Sequence, residues 1–380
     1  MSNRKLFPSG IAKGNAFCNR ETERNYLKQC IDNNEHVVLV SPRRYGKTSL
    51  IAKVIEDCHI DHVSIDLLLA PDSNYVRDAI LSGVAQLCSN LIEKSGSVKD
   101  KIFSIFDAFN PKLTLSAFGQ KLELSANTNS VQTIAEALLS LEDAAQIANK
   151  KIVFVMDEFQ QVATLNNHHN VEASIRHAVE RSKNITYIFS GSNRHLLEQM
   201  FNDKARPLYH LCELMRLNRI SAQAFVKFIA KIAQKKWGAS IDDRVFLKIM
   251  ELTHCHTFYV NRICRLLWKN ETIPSIKDID AIWNNYVYEQ QWVIDDLTKL
   301  TANQRKIMTA LAVQPSSEIY GEYIRSSTGI NPSSIAKTIC SLEKSDLIYK
   351  DKSGVYFVLD PAIAYFITTK KPLNVQGHLY

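Results

Sequence analysis

The fold of this 380-residue chain is indicated most directly by the stretch Ser41-Pro42-Arg43-Arg44-Tyr45-Gly46-Lys47-Thr48. It follows the run His36-Val37-Val38-Leu39-Val40 and leads into a segment of helical character, residues 48–55. The order is strand, loop and helix. In this arrangement successive backbone N–H groups and the positive end of the helix dipole surround a phosphate group. The stretch therefore predicts a phosphate-binding loop at the carboxyl end of a strand.

Two side chains at the end of this loop have specific tasks in phosphate-binding loops. A lysine in the place of Lys47 reaches the β- and γ-phosphates, and a hydroxyl in the place of Thr48 ligates Mg²⁺. Ser41 stands where the usual pattern has glycine, so it either finds an allowed conformation or strains the loop. A chance Gly-Lys-Thr in a surface turn is the alternative. The candidate nucleotide-binding residues are Pro42, Arg43, Arg44, Tyr45, Gly46, Lys47, Thr48 and Ser49.

A second apolar stretch, Ile152-Val153-Phe154-Val155-Met156, ends in two carboxylates, Asp157 and Glu158. Continuous apolar runs are typical of buried parallel strands, and ligands bind at the carboxyl ends of such strands. We expect Asp157 to be a metal ligand together with Thr48, and Glu158 to orient and polarise the water that attacks the γ-phosphate. Buried strands often end in acidic residues where the chain returns to solvent, but that interpretation does not explain the upstream phosphate loop.

A third strand candidate, residues 185–193, places small polar side chains at its end. In P-loop ATPases with an inserted catalytic strand, such a group lies between the two motif strands and contacts the γ-phosphate or the attacking water. Ser190, Ser192 and Asn193 are the candidates, and the sequence does not rank them; a plain Ser-Gly-Ser turn is the alternative. The candidate catalytic residues are Lys47, Asp157, Glu158, Ser192 and Asn193.

These pieces occur in the order found in archaeal-type P-loop ATPases, a family related to the AAA+ and STAND ATPases, which the chain resembles over nearly its whole length. The resemblance implies an ATPase core, a helical lid and a C-terminal winged helix. The matching segments are Phe17-Cys18-Asn19-Arg20-Glu21, Ser41 to Leu50, Asp157-Glu158-Phe159-Gln160, Gly191-Ser192, Arg206-Pro207-Leu208-Tyr209, Phe258-Tyr259-Val260 and Asp360-Pro361.

Two segments depart from the family pattern. His210-Leu211 follows Tyr209 where the family has Gly-Arg, and residues 254–257 replace the Gly-Gly-x-Pro of the lid. These departures predict that the nucleotide is held differently or turned over slowly.

The expected fold class is α/β: a P-loop NTPase core with a parallel sheet, followed by an all-helical lid and a winged-helix domain. A chain of this length suits two or three domains. Alternating apolar and polar residues around Phe118-Gly119 predict a β-hairpin inserted on the core at about 110–125. The winged helix is predicted by a hairpin around Ser353-Gly354 and by three helical segments, from Thr301 to about Val313, from Glu318 to Ser327 and from Asn331-Pro332 to about Lys344. The expected boundaries are 1–218 for the core, 219–295 for the lid, 296–365 for the winged helix and 366–380 for a tail.

Composition excludes several classes of protein. Hydrophobic residues make up 46% and charged residues 22%, which are close to globular averages and argue against a disordered or fibrous chain. No apolar run reaches about 18 residues and the N-terminus lacks the apolar core of a signal peptide, so we expect a cytoplasmic protein without a membrane partner.

Charge bears on the partners of the predicted winged helix. The net charge of +7 favours an anionic ligand without deciding between nucleotide and nucleic acid. Residues 297–360 contain eight Lys and Arg against six Asp and Glu. So few cations predict weak DNA binding, because phosphate contacts dominate affinity for DNA. DNA is therefore a weakly supported partner, and a protein partner or a second copy of the chain is the other candidate.

The sequence thus predicts a P-loop ATPase that binds ATP and Mg²⁺ and couples hydrolysis to movement of the lid and the winged helix. The alternative is a nucleotide-gated regulator that binds DNA or a protein through its winged helix, with slow or incidental hydrolysis. An additional arginine completes many such sites. Arg262 and Arg265 of the lid are candidates, with helix-surface salt bridging as their alternative role, and Arg206 of a second subunit is another.

Overall fold

The computed structural model describes residues 6–94, 99–109, 130–238, 241–351 and 353–369, which divide into two compact units. The first unit is Arg20–Asn218, and the second joins Met1–Asn19 to Arg219–Tyr380. The predicted hairpin at about 110–125 and most of the predicted tail lie outside the described residues. The fold class is confirmed, whereas the division into core, lid, winged helix and tail stays a prediction.

The first unit alternates strands and helices. A short 3₁₀ helix, Phe159–Thr164, follows its third strand directly. The elements are α1 (Glu21–Asn33), β1 (Val37–Val40), α2 (Lys47–Cys58), β2 (Asp61–Asp66), α3 (Ser73–Lys94), α4 (Lys99–Phe109), α5 (Ser130–Ile147), β3 (Ile152–Asp157), α6 (His168–Val179), β4 (Ile185–Gly191), α7 (Arg194–Asn202) and β5 (Glu213–Arg216).

The strands of the first unit form a parallel sheet in the order β2-β3-β4-β1-β5. All residues of β1 and β4 are buried, which explains why the sequence shows continuous apolar runs there. Strand β4 lies between β3 and β1, so the two motif strands are separated by an inserted strand, as predicted. The register pairs Val40 with Gly191 and Met156 with Phe189. The carboxyl ends of β1, β3 and β4 therefore meet at one edge of the sheet.

The described part of the second unit is helical except for one hairpin. Its N-terminal part contains a 3₁₀ helix, Gly14–Ala16. The remaining elements are α8 (Ala222–Trp237), α9 (Asp243–Thr253), α10 (Thr257–Leu267), α11 (Ile276–Tyr288), α12 (Gln291–Thr298), α13 (Ala302–Val313), α14 (Glu322–Thr328), α15 (Pro332–Lys344), β6 (Ile348–Lys350), β7 (Tyr356–Val358) and α16 (Pro361–Thr369).

Helix α14 begins later than expected. The sequence placed its start at Glu318, but the helix starts at Glu322 after the N-cap Gly321. Ser316 forms an antiparallel bridge with Tyr356 of the hairpin, through hydrogen bonds of 3.1 and 2.8 Å. Residues 318–321 then form a turn, in which the backbone N–H of Gly321 donates to the carbonyl oxygen of Glu318 at 2.9 Å, and the helix starts only after the extended N-cap Gly321. Helices α13, α14 and α15 followed by the β6–β7 hairpin have the element order of a winged helix.

Side-chain caps define most of the described helix starts of the second unit. Ser221, Asp242, Thr301 and Asn331 each accept a hydrogen bond from a backbone N–H in the first turn of the following helix. No helix among the described residues is long and apolar enough to span a membrane.

Candidate active site

The predicted phosphate loop connects β1 to α2. Gly46 has a φ of 96°, a left-handed conformation that favours glycine, and it directly precedes Lys47 at the start of α2. The side chain of Lys47 is buried, and its Nζ donates to the carbonyl oxygen of Ser41 at 3.2 Å. The ammonium group therefore lies against the start of the loop rather than in solvent.

Ser41 occupies the usual glycine position without backbone strain. It is not among the residues with positive φ, and its side chain is buried. Its Oγ donates to the carbonyl oxygen of Pro42 at 3.1 Å. The loop thus accepts serine in an ordinary backbone conformation, and its left-handed positions are Arg44, with φ of 65°, and Gly46.

The first carboxylate of β3 is held by groups from three elements. Oδ2 of Asp157 accepts from Oγ1 of Thr48 at 3.2 Å. Oδ1 accepts from Oγ of Ser190 at 2.6 Å and from the backbone N–H of Glu158 at 3.0 Å. The structure therefore brings the end of β3 to the first turn of α2, although the two are distant in sequence.

The second carboxylate is oriented by a different set of donors. Glu158 has a φ of 52° and begins the 3₁₀ turn after β3. Its Oε2 accepts from Nε2 of Gln160 at 2.6 Å and from Oγ of Ser192 at 2.7 Å. Nε of Arg43 donates to the same Ser192 oxygen at 3.3 Å. A hydrogen-bonded chain thus runs from the phosphate loop to Glu158.

The environment of Glu158 favours its ionised form. Burial raises the pKa of this carboxyl, but the hydrogen bonds from Gln160 and Ser192 and the charge of Lys47 outweigh burial, so the pKa lies below its ordinary value. Glu158 is therefore an acceptor near neutral pH, which suits a group that orients water and not one that donates a proton.

The three polar candidates at the end of β4 have different contacts. Ser190 is fully buried and bonds to Asp157, whereas Ser192 bonds to Glu158. Oδ1 of Asn193 accepts from the backbone N–H of Leu196 at 3.1 Å and caps α7. Thus two of the three join the carboxylates, and the third is engaged in helix capping.

Thr48 and Asp157 form a donor set that suits Mg²⁺. Mg²⁺ prefers hard oxygen ligands, and one or two protein side chains suffice because waters and substrate phosphates complete its shell. The hydroxyl and carboxylate oxygens are already 3.2 Å apart. No group of three or more His, Cys, Asp or Glu side chains in the described part of the chain is placed to hold a metal ion.

The three candidate arginines each contact groups of their own unit. Arg206 forms an ion pair with Glu172, which is completely buried. Nε of Arg265 donates to the carbonyl oxygen of Phe7 at 2.9 Å, and the guanidinium of Arg262 lies 5.2 Å from the ring centre of Tyr286. These contacts give each arginine a structural task.

Two residues of the site were not assigned a role from the sequence. Gln160 is buried and reaches Glu158 because the 3₁₀ turn after β3 brings the residue two positions later back to the carboxylate. Arg20 is also buried and donates to the carbonyl oxygen of Tyr45 in the phosphate loop at 3.2 Å. In the sequence, both residues stand out only because they lie within segments that carry the family resemblance.

Comparisons with known proteins agree with this geometry. The sequence model of a family described as "ATPase domain predominantly from Archaea" matches residues 17–247, more than half of the chain. A Walker-type ATPase of Pyrococcus abyssi has a similar structure, with a TM-score of 0.69 and 16% identity over 96% of this chain and 99% of that one. The ORC2 protein of Aeropyrum pernix, solved as ADPNP-ADP complexes, gives a TM-score of 0.58 and 12% identity over 96% of each chain.

None of the curated proteins matches the chain. The two solved structures therefore show its fold, and the family match shows its relationship. The phosphate loop, the inserted strand and the paired carboxylates fall within the matched residues. The chain belongs to the family of ATPase domains found predominantly in Archaea, and it is a nucleotide-binding P-loop ATPase.

Proposed function

We propose that this protein hydrolyses Mg-ATP at the carboxyl edge of its sheet and uses the nucleotide state to control its helical region and winged helix. The observation that supports this most is the cluster of Thr48, Asp157, Glu158 and Ser192. Side chains from α2, β3 and the end of β4 meet there in one hydrogen-bonded arrangement.

Each residue has a distinct role in the proposal. The backbone of the phosphate loop and the ammonium group of Lys47 bind the phosphates. Thr48 and Asp157 hold Mg²⁺, which supplies charge neutralisation at the phosphates. Glu158 accepts a hydrogen bond from the attacking water and so orients this water, which is a positional and electrostatic contribution. Ser190 keeps the Asp157 carboxylate in place.

We expect the turnover to be slow in the isolated chain. An arginine that stabilises the transition state contributes on the order of 10³–10⁵ in rate. The three arginines considered for that task are occupied by structural contacts in the described part of the chain. A protein partner or a second copy of the chain is the expected source of an additional cation.

Coupling to the second unit is supported by the contacts inside that unit. The hydroxyl of Tyr259 in α10 lies 2.8 and 2.7 Å from the two carboxylate oxygens of Asp360, which follows the hairpin. Arg219 donates to the carbonyl oxygens of His254 and Leu359 at 2.9 and 2.6 Å. The helical region and the winged helix are thereby joined to the segment that leaves β5. A change at this segment would move them together.

Two variants test the proposal. Lys47→Ala is expected to lose most of its ATP affinity, measured by equilibrium binding of a fluorescent ATP analogue. Glu158→Gln is expected to bind ATP normally while its phosphate release falls by roughly 10²–10⁴-fold. Glu56→Gln, a change of the same kind on the exposed face of α2, is the matched control and should behave as the parent. Full hydrolysis by Glu158→Gln, or parental affinity in Lys47→Ala, would contradict the assignment.

A further inference from the structure

Gln160 is fitted tightly between the second carboxylate and the end of β4. Its side chain is 3% exposed, and Nε2 donates to Oε2 of Glu158 at 2.6 Å. On the other side, Oε1 faces the Cα of Gly191 so closely that an added Cβ there would lie 2.0 Å from it. Any larger residue at position 191 would force the carboxamide out of the conformation that it has here.

The orientation of the carboxamide is determined by Glu158. Oε1 of Gln160 is buried and accepts no hydrogen bond from the described residues. A buried acceptor without a partner is unfavourable. Turning the amide over would leave Nε2 against Gly191 and place Oε1 against a carboxylate oxygen, so two acceptors would face each other. An apolar side chain at position 160 would avoid the unpaired oxygen, so the benefit of a buried amide there is its hydrogen bond to Glu158.

We propose that Gln160 is a positioning residue for ATP hydrolysis, which holds Oε2 of Glu158 so that Oε1 stays available to the attacking water. The proposal rests on the role proposed above for Glu158. Ser192 supplies the second side-chain donor to Oε2 at 2.7 Å, and its backbone N–H also bonds to the carboxylate. Both side-chain donors thus hold Oε2, which leaves Oε1 as the oxygen that we assign to the attacking water.

The substitution Gln160→Met tests the role of the donor, because methionine has the same chain length and cannot donate a hydrogen bond. We expect single-turnover phosphate release to fall roughly tenfold or more, since a hydrogen bond to a charged group is lost. ATP affinity should stay at the parental value. Gln161→Met is the matched control: Gln161 is the next residue, and its side chain makes no hydrogen bond in the described part of the chain.

The split between rate and affinity separates positioning from general damage. Misfolding would lower ATP affinity and phosphate release together, whereas a displaced carboxylate lowers phosphate release alone. A parental rate of phosphate release in Gln160→Met would overturn the proposal.

Gly191 provides a second, independent test. Gly191→Ala places a methyl group on the carboxamide and should reduce phosphate release as Gln160→Ala does. In the double variant the carboxamide is gone, so Gly191→Ala should add almost nothing to the effect of Gln160→Ala. A reduction by Gly191→Ala that is equally large in both backgrounds would show that the effect does not pass through Gln160, and would overturn the proposal.

The outcomes distinguish this inference from the proposed function. If Glu158→Gln hydrolyses ATP at the parental rate, the role of Glu158 is wrong. If Glu158→Gln is inactive while Gln160→Met retains the parental rate, the ATPase assignment holds and only the role of Gln160 is refuted.

Discussion

Tyr259→Phe removes the hydroxyl that joins α10 to the start of α16. The ring of Tyr259 is completely buried, and its oxygen lies 2.8 and 2.7 Å from the two oxygens of Asp360. A hydroxyl has one proton, so the two distances describe one hydrogen bond shared by two acceptors. A hydrogen bond to a charged group contributes about 1.5–3 kcal/mol. We expect the free energy of unfolding of the second unit to fall by that amount, since phenylalanine keeps the ring packing.

The tryptophans make this measurement specific. All four tryptophans, at positions 237, 268, 283 and 292, belong to the second unit, so their fluorescence during urea unfolding reports on that unit alone. With a urea dependence of about 2 kcal/mol per molar, the midpoint should fall by roughly 1 M. ATP binding by the first unit provides a separate readout and should be unchanged in the absence of urea.

A tyrosine at the surface of the same unit is the control. Tyr288 is 39% exposed and its hydroxyl lies 3.0 Å from Oγ1 of Thr369. Tyr288→Phe should change the free energy of unfolding by no more than about 0.5 kcal/mol, as for most surface substitutions. Equal urea midpoints for Tyr259→Phe and Tyr288→Phe would refute the energetic importance of the link between α10 and α16.

Two further predictions concern the first unit. Burial lowers the pKa of His36, whose Nε2 donates to the carbonyl oxygen of Val179 at 3.0 Å while Nδ1 accepts from the backbone N–H of Tyr187 at 3.3 Å. As the pH falls, the imidazole of His36 is therefore protonated at a higher pH in the unfolded chain than in the folded protein, and the free energy of unfolding should decrease below about pH 6.5. Urea unfolding followed by circular dichroism at about pH 7.5 and 5.5 should show a smaller decrease in His36→Gln than in the parent. Equal decreases in the two proteins would contradict the prediction. Gly83→Ala should lower the free energy of unfolding by about 1–3 kcal/mol, because an added Cβ would lie 2.8 Å from Cζ of Phe154. This loss should exceed the gain from the higher helix propensity of alanine. A rise in thermal stability would show that helix propensity prevails over packing.

Local sequence patterns predicted an element correctly wherever the interactions that form it lie within one short segment. The phosphate loop falls between β1 and α2 because apolar residues precede it and helix formers follow it. Caps such as Ser221 and Asn331 were predictable since their side chains bond within the next turn. The predicted start of α14 was wrong: residues 318–321 form a turn between the extended N-cap Gly321 and the bridge from Ser316 to Tyr356, which joins residues that are far apart along the chain.

Apolar runs and the polar residues that end them are local properties, so a phosphate loop and a carboxylate pair at the ends of buried strands could be predicted from the sequence. Which polar groups meet depends on the tertiary structure. In the folded protein Ser190 bonds to Asp157 and Ser192 bonds to Glu158. Asn193 caps a helix, and Gln160 lies against Gly191. These contacts depend on the insertion of β4 between β3 and β1 and on the register of those strands, and hydrogen bonds between separate elements leave no periodic pattern in a sequence.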